Sequence, residues 1–144
     1  MTTYGPSEVV AYCQYHMSSR FVILRRVFEE MRMLRPSLEP LRVLDFGCGP
    51  GTAASALVDV WGEKIKKYEG IDISNSMLDA ARIMTRGIGP DCTFWGNTKG
   101  VIKRLERTNE RFNLAICAYT LSELTSDAAR FEANSNYSYI SIWD

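Results

Sequence analysis

The sequence predicts an α/β domain: a mostly parallel, doubly wound sheet with helices on both faces. Three observations carry that expectation. Apolar runs of strand length alternate with stretches of helical period. A glycine cluster, "GCGPG" at 47–51, separates the first such run from a stretch of small residues. The run "FNLAICAY" is apolar almost without interruption, as a strand covered on both faces must be.

The first helix is expected from Ser7 to Arg35. Phe21, Leu24, Phe28 and Met31 recur at three- and four-residue spacing, Val27 and Leu34 widen the stripe, and Pro36 stops it. "LRVLDF" (Leu41 to Phe46) reads as the first strand and "GTAASALVDVW" as the helix behind it. "YEGIDI" (Tyr68 to Ile73) is the second strand. Ser74 or Asn75 then caps a helix whose apolar side holds Met77, Leu78, Ala81 and Ile83 or Met84. "CTFW" is the third strand, "KGVIKRLERTNE" a charged helix, Phe112 to Tyr119 the fourth strand, and "TLSEL" the start of another helix.

The tail breaks this rhythm and offers one edge strand, at "YSYISIW". A doubly wound domain needs more strands, so the sheet is expected to be C-terminally truncated. That would leave "LAICAY" as an apolar edge, from which poor solubility or a tight partner, such as a chain completing the sheet, is expected. The organisation expected is a helical lead-in at 1–40, a cofactor-binding core at 41–125 and a divergent tail at 126–144.

A length of 144 residues accommodates one core and not two. With 46% apolar and 24% charged residues, the composition is that of a folded chain. A formal net charge of zero gives no overall attraction to nucleic acid, so RNA binding would rest on a local basic face. No apolar run approaches the roughly 20 residues of a membrane span, and no membrane partner is expected. The N-terminus carries neither a signal nor a transit pattern, which by itself points to the cytoplasm or to a chain without its leader. Cys13, Cys48, Cys92 and Cys117 form no CxxC pair, so free thiols are expected and no metal site.

The glycine loop is the chemical signal. A dinucleotide loop reads G-x-G-x-x-G, but here Thr52 stands where its third glycine belongs, and Pro50 has no amide to offer a pyrophosphate. Asp45 ends the strand before the loop. Asp72 ends the next strand, where an acid accepts hydrogen bonds from ribose hydroxyls. Asp45 could balance a cationic group. A ribose with a cationic head and no phosphate suits S-adenosylmethionine better than NAD; a bare turn without a ligand is the alternative.

The runs "LDFGCGPGT" and "GIDISNSMLDAAR" resemble the first two motifs of class I S-adenosylmethionine-dependent methyltransferases. The resemblance implies a Rossmann-like fold and a cofactor site at Asp45, Gly47, Cys48, Gly49, Gly51, Asp72, Ile73 and Asn97, with Asn97 near the adenine. "AYCQYHMSSRFVILRRVFEEMRMLRP" ahead of the loop and "FNLAICAYTLSEL" after it narrow this further. They resemble the methyltransferase-like proteins of the mitochondrial small ribosomal subunit, from about Val9 to Leu124. That family implies a mitochondrial location, ribosomal RNA as partner, and maturation of the small subunit as the task. Its downstream metal-binding cysteine cluster has no counterpart in this sequence. A non-catalytic assembly module with a vestigial loop and a small-molecule methyltransferase are the alternatives.

Catalytic residues are less defined. "AYTLSEL" lacks the [DN]-P-P-[YF] pattern of many amino-group methyltransferases; Tyr119, Ser122 and Glu123 could line a pocket, with Glu123 the one candidate proton acceptor. A helix-capping role explains the same residues. His16 reads as a surface or packing residue, and Arg20 as either a cofactor-mouth residue or a solvated one. Arg25, Arg26, Arg32, Arg35, "EKIKK" (63–67) and "KRLER" (103–107) are the candidate RNA-contacting patches, with interspersed glutamates that favour plain solvated faces.

Overall fold

The computed structural model describes residues 4–118 and the strand 139–142. Its elements are α1 (Pro6–Tyr15), α2 (Met17–Leu34), β1 (Arg42–Phe46), α3 (Thr52–Trp61), β2 (Lys67–Ile71), α4 (Asn75–Met84), β3 (Asp91–Trp95), α5 (Thr98–Thr108), β4 (Leu114–Ala118) and β5 (Tyr139–Ile142). The strands form one parallel sheet in the order β3-β2-β1-β4-β5, with β1 at its centre as expected. The chain winds outward from β1 to β3, then crosses back over α5 to β4. The strand order therefore reverses between β1 and β4, and the loops there diverge into a crevice at the carboxyl ends of the strands.

Alternation along each strand divides the core. Val43, Tyr68, Leu114 and Ile116 face Leu24 and Phe28 of α2 and Ala53, Ala54, Ala56, Leu57, Val60 and Trp61 of α3. The three alanines of α3 let it lie close to the sheet. Phe28 is fully buried, its ring 5.8 Å from that of Trp61; burial of such a side chain stabilises by about 1.5–3 kcal/mol. On the opposite face Leu44, Ile71 and Phe112 meet Val101, with Phe46, Trp95 and Leu105 packed around them.

That second face also holds charge. Glu69 has no exposed side-chain surface, yet Arg104 and Lys67 pair with it and the Trp95 indole donates to it at 2.9 Å. Glu110 joins the same group through Arg42, Lys67 and Arg104. Glu69 Oε2 accepts from Trp95 and Arg104, while its Oε1 has charge partners but no well-formed hydrogen bond. The group clamps α5 onto β2.

Three expectations are corrected. The single helix over 7–35 is broken at His16, which ends α1 and begins α2. The Ser19 hydroxyl donates to the His16 carbonyl at 2.9 Å, beside the Arg20 amide that bonds the same oxygen at 3.0 Å. Below the bend α1 packs on α4 while α2 packs on α3. Leu34 lies outside the apolar stripe, 81% exposed at the end of α2. "LAICAY" is not a bare edge: Tyr139–Ile142 adds to β4 in parallel, Ala115 opposite Tyr139 through Ala118 opposite Ile142. The edge strand anticipated in the tail thus covers β4 from within the same chain.

Candidate cofactor site

Seven of the eight predicted cofactor residues converge at the carboxyl ends of β1 and β2. The loop leaving β1 needs glycine for its shape. Gly47, Gly49 and Gly51 have φ of 69°, 51° and 81°, a region that L side chains rarely adopt. Gly51 is also crowded, since a Cβ there would meet Thr85 Cγ2 at 2.8 Å. At Gly49 a Cβ would meet nothing within 4 Å, so that residue turns toward open space.

The loop is braced by its own amides. Gly47 and Cys48 both donate to the Ile71 carbonyl, at 2.8 and 3.0 Å, and Gly51 donates to the Cys48 carbonyl at 3.0 Å. The Gly49 amide donates to Asp72 Oδ2 at 2.9 Å. With Pro50 contributing no N–H, every loop amide from Gly47 to Gly51 is engaged within the protein. A pyrophosphate cradle needs such amides free. These loop amides are therefore not available to a pyrophosphate.

Asp72 follows β2 directly. Its Oδ1 accepts from the Ser74 amide at 2.9 Å, so its two oxygens tie the β1 loop to the start of α4. Ser74 caps α4 by accepting from Met77, at 3.3 Å, and its hydroxyl donates to the Tyr4 carbonyl at 2.8 Å. Ile73 is exposed beside it. Each Asp72 oxygen keeps acceptor capacity for a ribose hydroxyl.

Asp45 is deeply buried at the end of β1, and its Oδ2 accepts from the Tyr68 hydroxyl. Burial, with the nearby Asp72 charge adding, pushes its carboxyl up to about 7 against the opposing pull of the Tyr68 hydrogen bond. Cys48 is buried between these groups, and burial raises its thiol well above the ordinary range. It is an inert packing residue of the loop: a Cβ on Gly70 would meet its sulfur at 2.7 Å. Sequence reasoning missed both Tyr68 and Gly70. The alternation of "YEGIDI" makes Tyr68 an ordinary core residue, and only the folded register shows what its hydroxyl meets.

Asn97 lies at the same end of the sheet, after β3. Its side-chain oxygen caps α5, accepting from Lys99 at 3.0 Å and Gly100 at 3.4 Å; the side-chain NH₂ keeps its donors. Glu123, with Tyr119 and Ser122, lies outside the described residues.

Two features besides the open Gly49 fit a cationic adenosine ligand. Asp45 and Asp72 accept from a tyrosine hydroxyl and from backbone amides, which places two carboxyl groups beside the loop. The Thr52 hydroxyl, at the first turn of α3, is buried without a hydrogen-bond partner, and a buried hydroxyl in that state calls for one.

The expected basic patches are largely neutralised. Arg25 pairs with Glu29 and Asp59, Arg26 with Glu30, and Lys64 with Glu39, while Arg32 donates to the Val60 carbonyl. Lys99, Lys103 and Arg107 differ. They recur every four residues along the exposed side of α5, and no ion pair engages them among the described residues.

The fold is that of solved methyltransferases. The plantazolicin methyltransferase BpumL, in complex with SAH, superposes with a TM-score of 0.67 at 14% identity, covering 94% of this chain and 52% of that one. An S-adenosylmethionine-dependent methyltransferase from Clostridium acetobutylicum gives 0.62 at 21% identity, covering 91% and 54%. The fold and the loop define a Rossmann-like domain of the class I methyltransferase type. Within that class the chain belongs to the family of the mitochondrial small ribosomal subunit protein Rsm22, whose model matches residues 6–136. The human mitochondrial ribosome assembly protein METTL17 is 28% identical over 137 residues, 90% of this chain and 29% of that protein. The chain thus spans under a third of that curated relative and about half of the solved structures.

Proposed function

We propose that this chain is the S-adenosylmethionine-holding part of a factor for maturation of the mitochondrial small ribosomal subunit. The observation that carries the cofactor reading is the engagement of all loop amides, with Asp72 bridging the loop to α4. Gly47, Gly49 and Gly51 would give the ligand its floor and Asp72 its ribose contact. Asp45 would face its cationic part, and Cys48 and Ile73 would flank it. The Asn97 amide group would serve the adenine. When bound, S-adenosylmethionine supplies a methyl group activated by its sulfonium charge.

The chain's own residues hold and orient that ligand; the described part accounts for binding, and an acceptor-side role for Glu123 stays a proposal about the segment after β4. Family membership and the assembly relative support the ribosomal partner and the mitochondrial location. Small-subunit ribosomal RNA would meet the Lys99–Lys103–Arg107 face, whose charges could neutralise successive phosphates.

Co-sedimentation of the chain with purified mitochondrial small subunits, with and without S-adenosylmethionine, tests this reading. Saturable association with small subunits and not with large ones is expected. Absence of association together with absence of cofactor binding would overturn it.

A further inference from the structure

Tyr68 has no exposed surface, Asp45 keeps 3% of its own, and the Tyr68 hydroxyl donates to the Asp45 carboxylate. In the β1–β2 register Tyr68 lies opposite Val43 and Gly70 opposite Asp45. The two side chains therefore stand on the same face of the sheet, two register positions apart. The Tyr68 ring packs on Phe94 at 6.1 Å and belongs to the α2–α3 core. Phenylalanine would fill that space without bringing a polar atom into it, so packing does not account for the hydroxyl.

Nor does packing account for the acid. Among the described residues, Tyr68 from β2 and Asp72 from beyond β2 act on Asp45, Asp45 in turn acts on Cys48 of the loop and Cys117 of β4, and Arg82 of α4 acts on Cys48. None of these offers Asp45 a cationic contact. A carboxylate buried without a counter-ion, as Asp45 is among the described residues, is costly, and asparagine would remove the cost. Its position two residues before Gly47 gives the charge a use.

We infer that Tyr68 is a positioning residue of the glycine-loop site, its buried hydroxyl holding Asp45 in place as the anion that meets the positive charge of the ligand. This rests on the reading that the loop holds S-adenosylmethionine. A cationic ligand favours the ionised acid, so affinity is highest above the free-state pKa of Asp45, about 7, and falls as pH drops through it. Removing the Tyr68 donation takes away an interaction that favours the anion. The same fall in affinity then occurs at higher pH.

The test is calorimetric titration of the full chain with S-adenosylmethionine between about pH 5.5 and 9 for wild type, Tyr68→Phe and Asp45→Asn, with thermal melts to confirm folding. In Asp45→Asn only the ligand's own groups titrate, which sets the baseline. Relative to that baseline, Tyr68→Phe is expected to move the midpoint up by about one pH unit, the size of one hydrogen bond to a charged group, with wild-type affinity recovered near pH 9. A packing defect would instead weaken binding equally at every pH. A ¹³C NMR titration of the Asp45 carboxyl in wild type and Tyr68→Phe reads the same shift without ligand. Wild-type binding with superimposable or parallel profiles would overturn this inference alone. No wild-type binding at any pH would overturn the cofactor reading and the inference with it.

Discussion

The Gly49 amide and the Asp72 carboxylate are joined by a 2.9 Å hydrogen bond, although they belong to successive strand–helix turns. The bond makes the glycine loop and the entry to α4 a single unit. Its acceptor is also the residue we propose as the ribose contact, in which case ligand binding and loop geometry would depend on the same side chain.

Gly70 is required for a reason separate from backbone freedom. A Cβ there would lie 2.7 Å from Cys48 Sγ and 2.9 Å from Phe94 Cδ1. Gly70→Ala should therefore push Cys48 and the loop outward, costing roughly 1–3 kcal/mol and weakening S-adenosylmethionine binding more than distant core substitutions of equal cost. Urea unfolding alongside ligand titration checks both.

Glu69→Ala should be the more damaging change to stability. It removes the fully buried carboxylate that Arg104 and Lys67 share with Glu110 and takes away the acceptor of the Trp95 indole, and losing buried hydrogen bonds to a charged group costs on the order of 3 kcal/mol. Unfolding of the variant, read by the denaturation midpoint, should begin with lower protection of α5 amides in hydrogen exchange.

The Asp45 carboxyl, raised from 3.8 to about 7 in the folded chain, gives stability a definite pH slope. The folded state keeps this proton over a range in which the unfolded chain has released it. The contribution is complete below about pH 4 and is lost as pH rises to about 7, on the order of 1.4 kcal/mol per unit within that window. Urea midpoints from pH 4 to 8 should show this component in wild type and its absence in Asp45→Asn.

Reversing Lys99, Lys103 and Arg107 to glutamate should leave the fold intact, since all three side chains are exposed. Binding to a small-subunit ribosomal RNA fragment should weaken at low salt. The slope of log affinity against log salt should flatten by about two to three, near one for each phosphate no longer neutralised. An unchanged slope would move the RNA surface elsewhere.

Much of this architecture is legible in the amino-acid order. The strand and helix periods give the parallel sheet with β1 central, and the glycine spacing with Asp72 marks the turn that proves to be braced. What escapes are interactions set by the third dimension. Glu69 alternates with core residues in "YEGIDI", and only the fold shows that α5 covers its face and supplies Arg104. The break at His16 leaves helical periodicity nearly undisturbed, so a continuous helix fits the pattern. Asn97 reads as an adenine contact, while its position before "TKG" also carries the cap signature that the fold uses.

The most direct test of the central claim is calorimetric titration of the chain with S-adenosylmethionine beside Asp72→Ala. Saturable binding that weakens at least tenfold in the folded variant is the predicted result. Equal affinity in both, or no binding by a folded wild-type chain, would contradict the assignment of the glycine loop and Asp72 as a cofactor site.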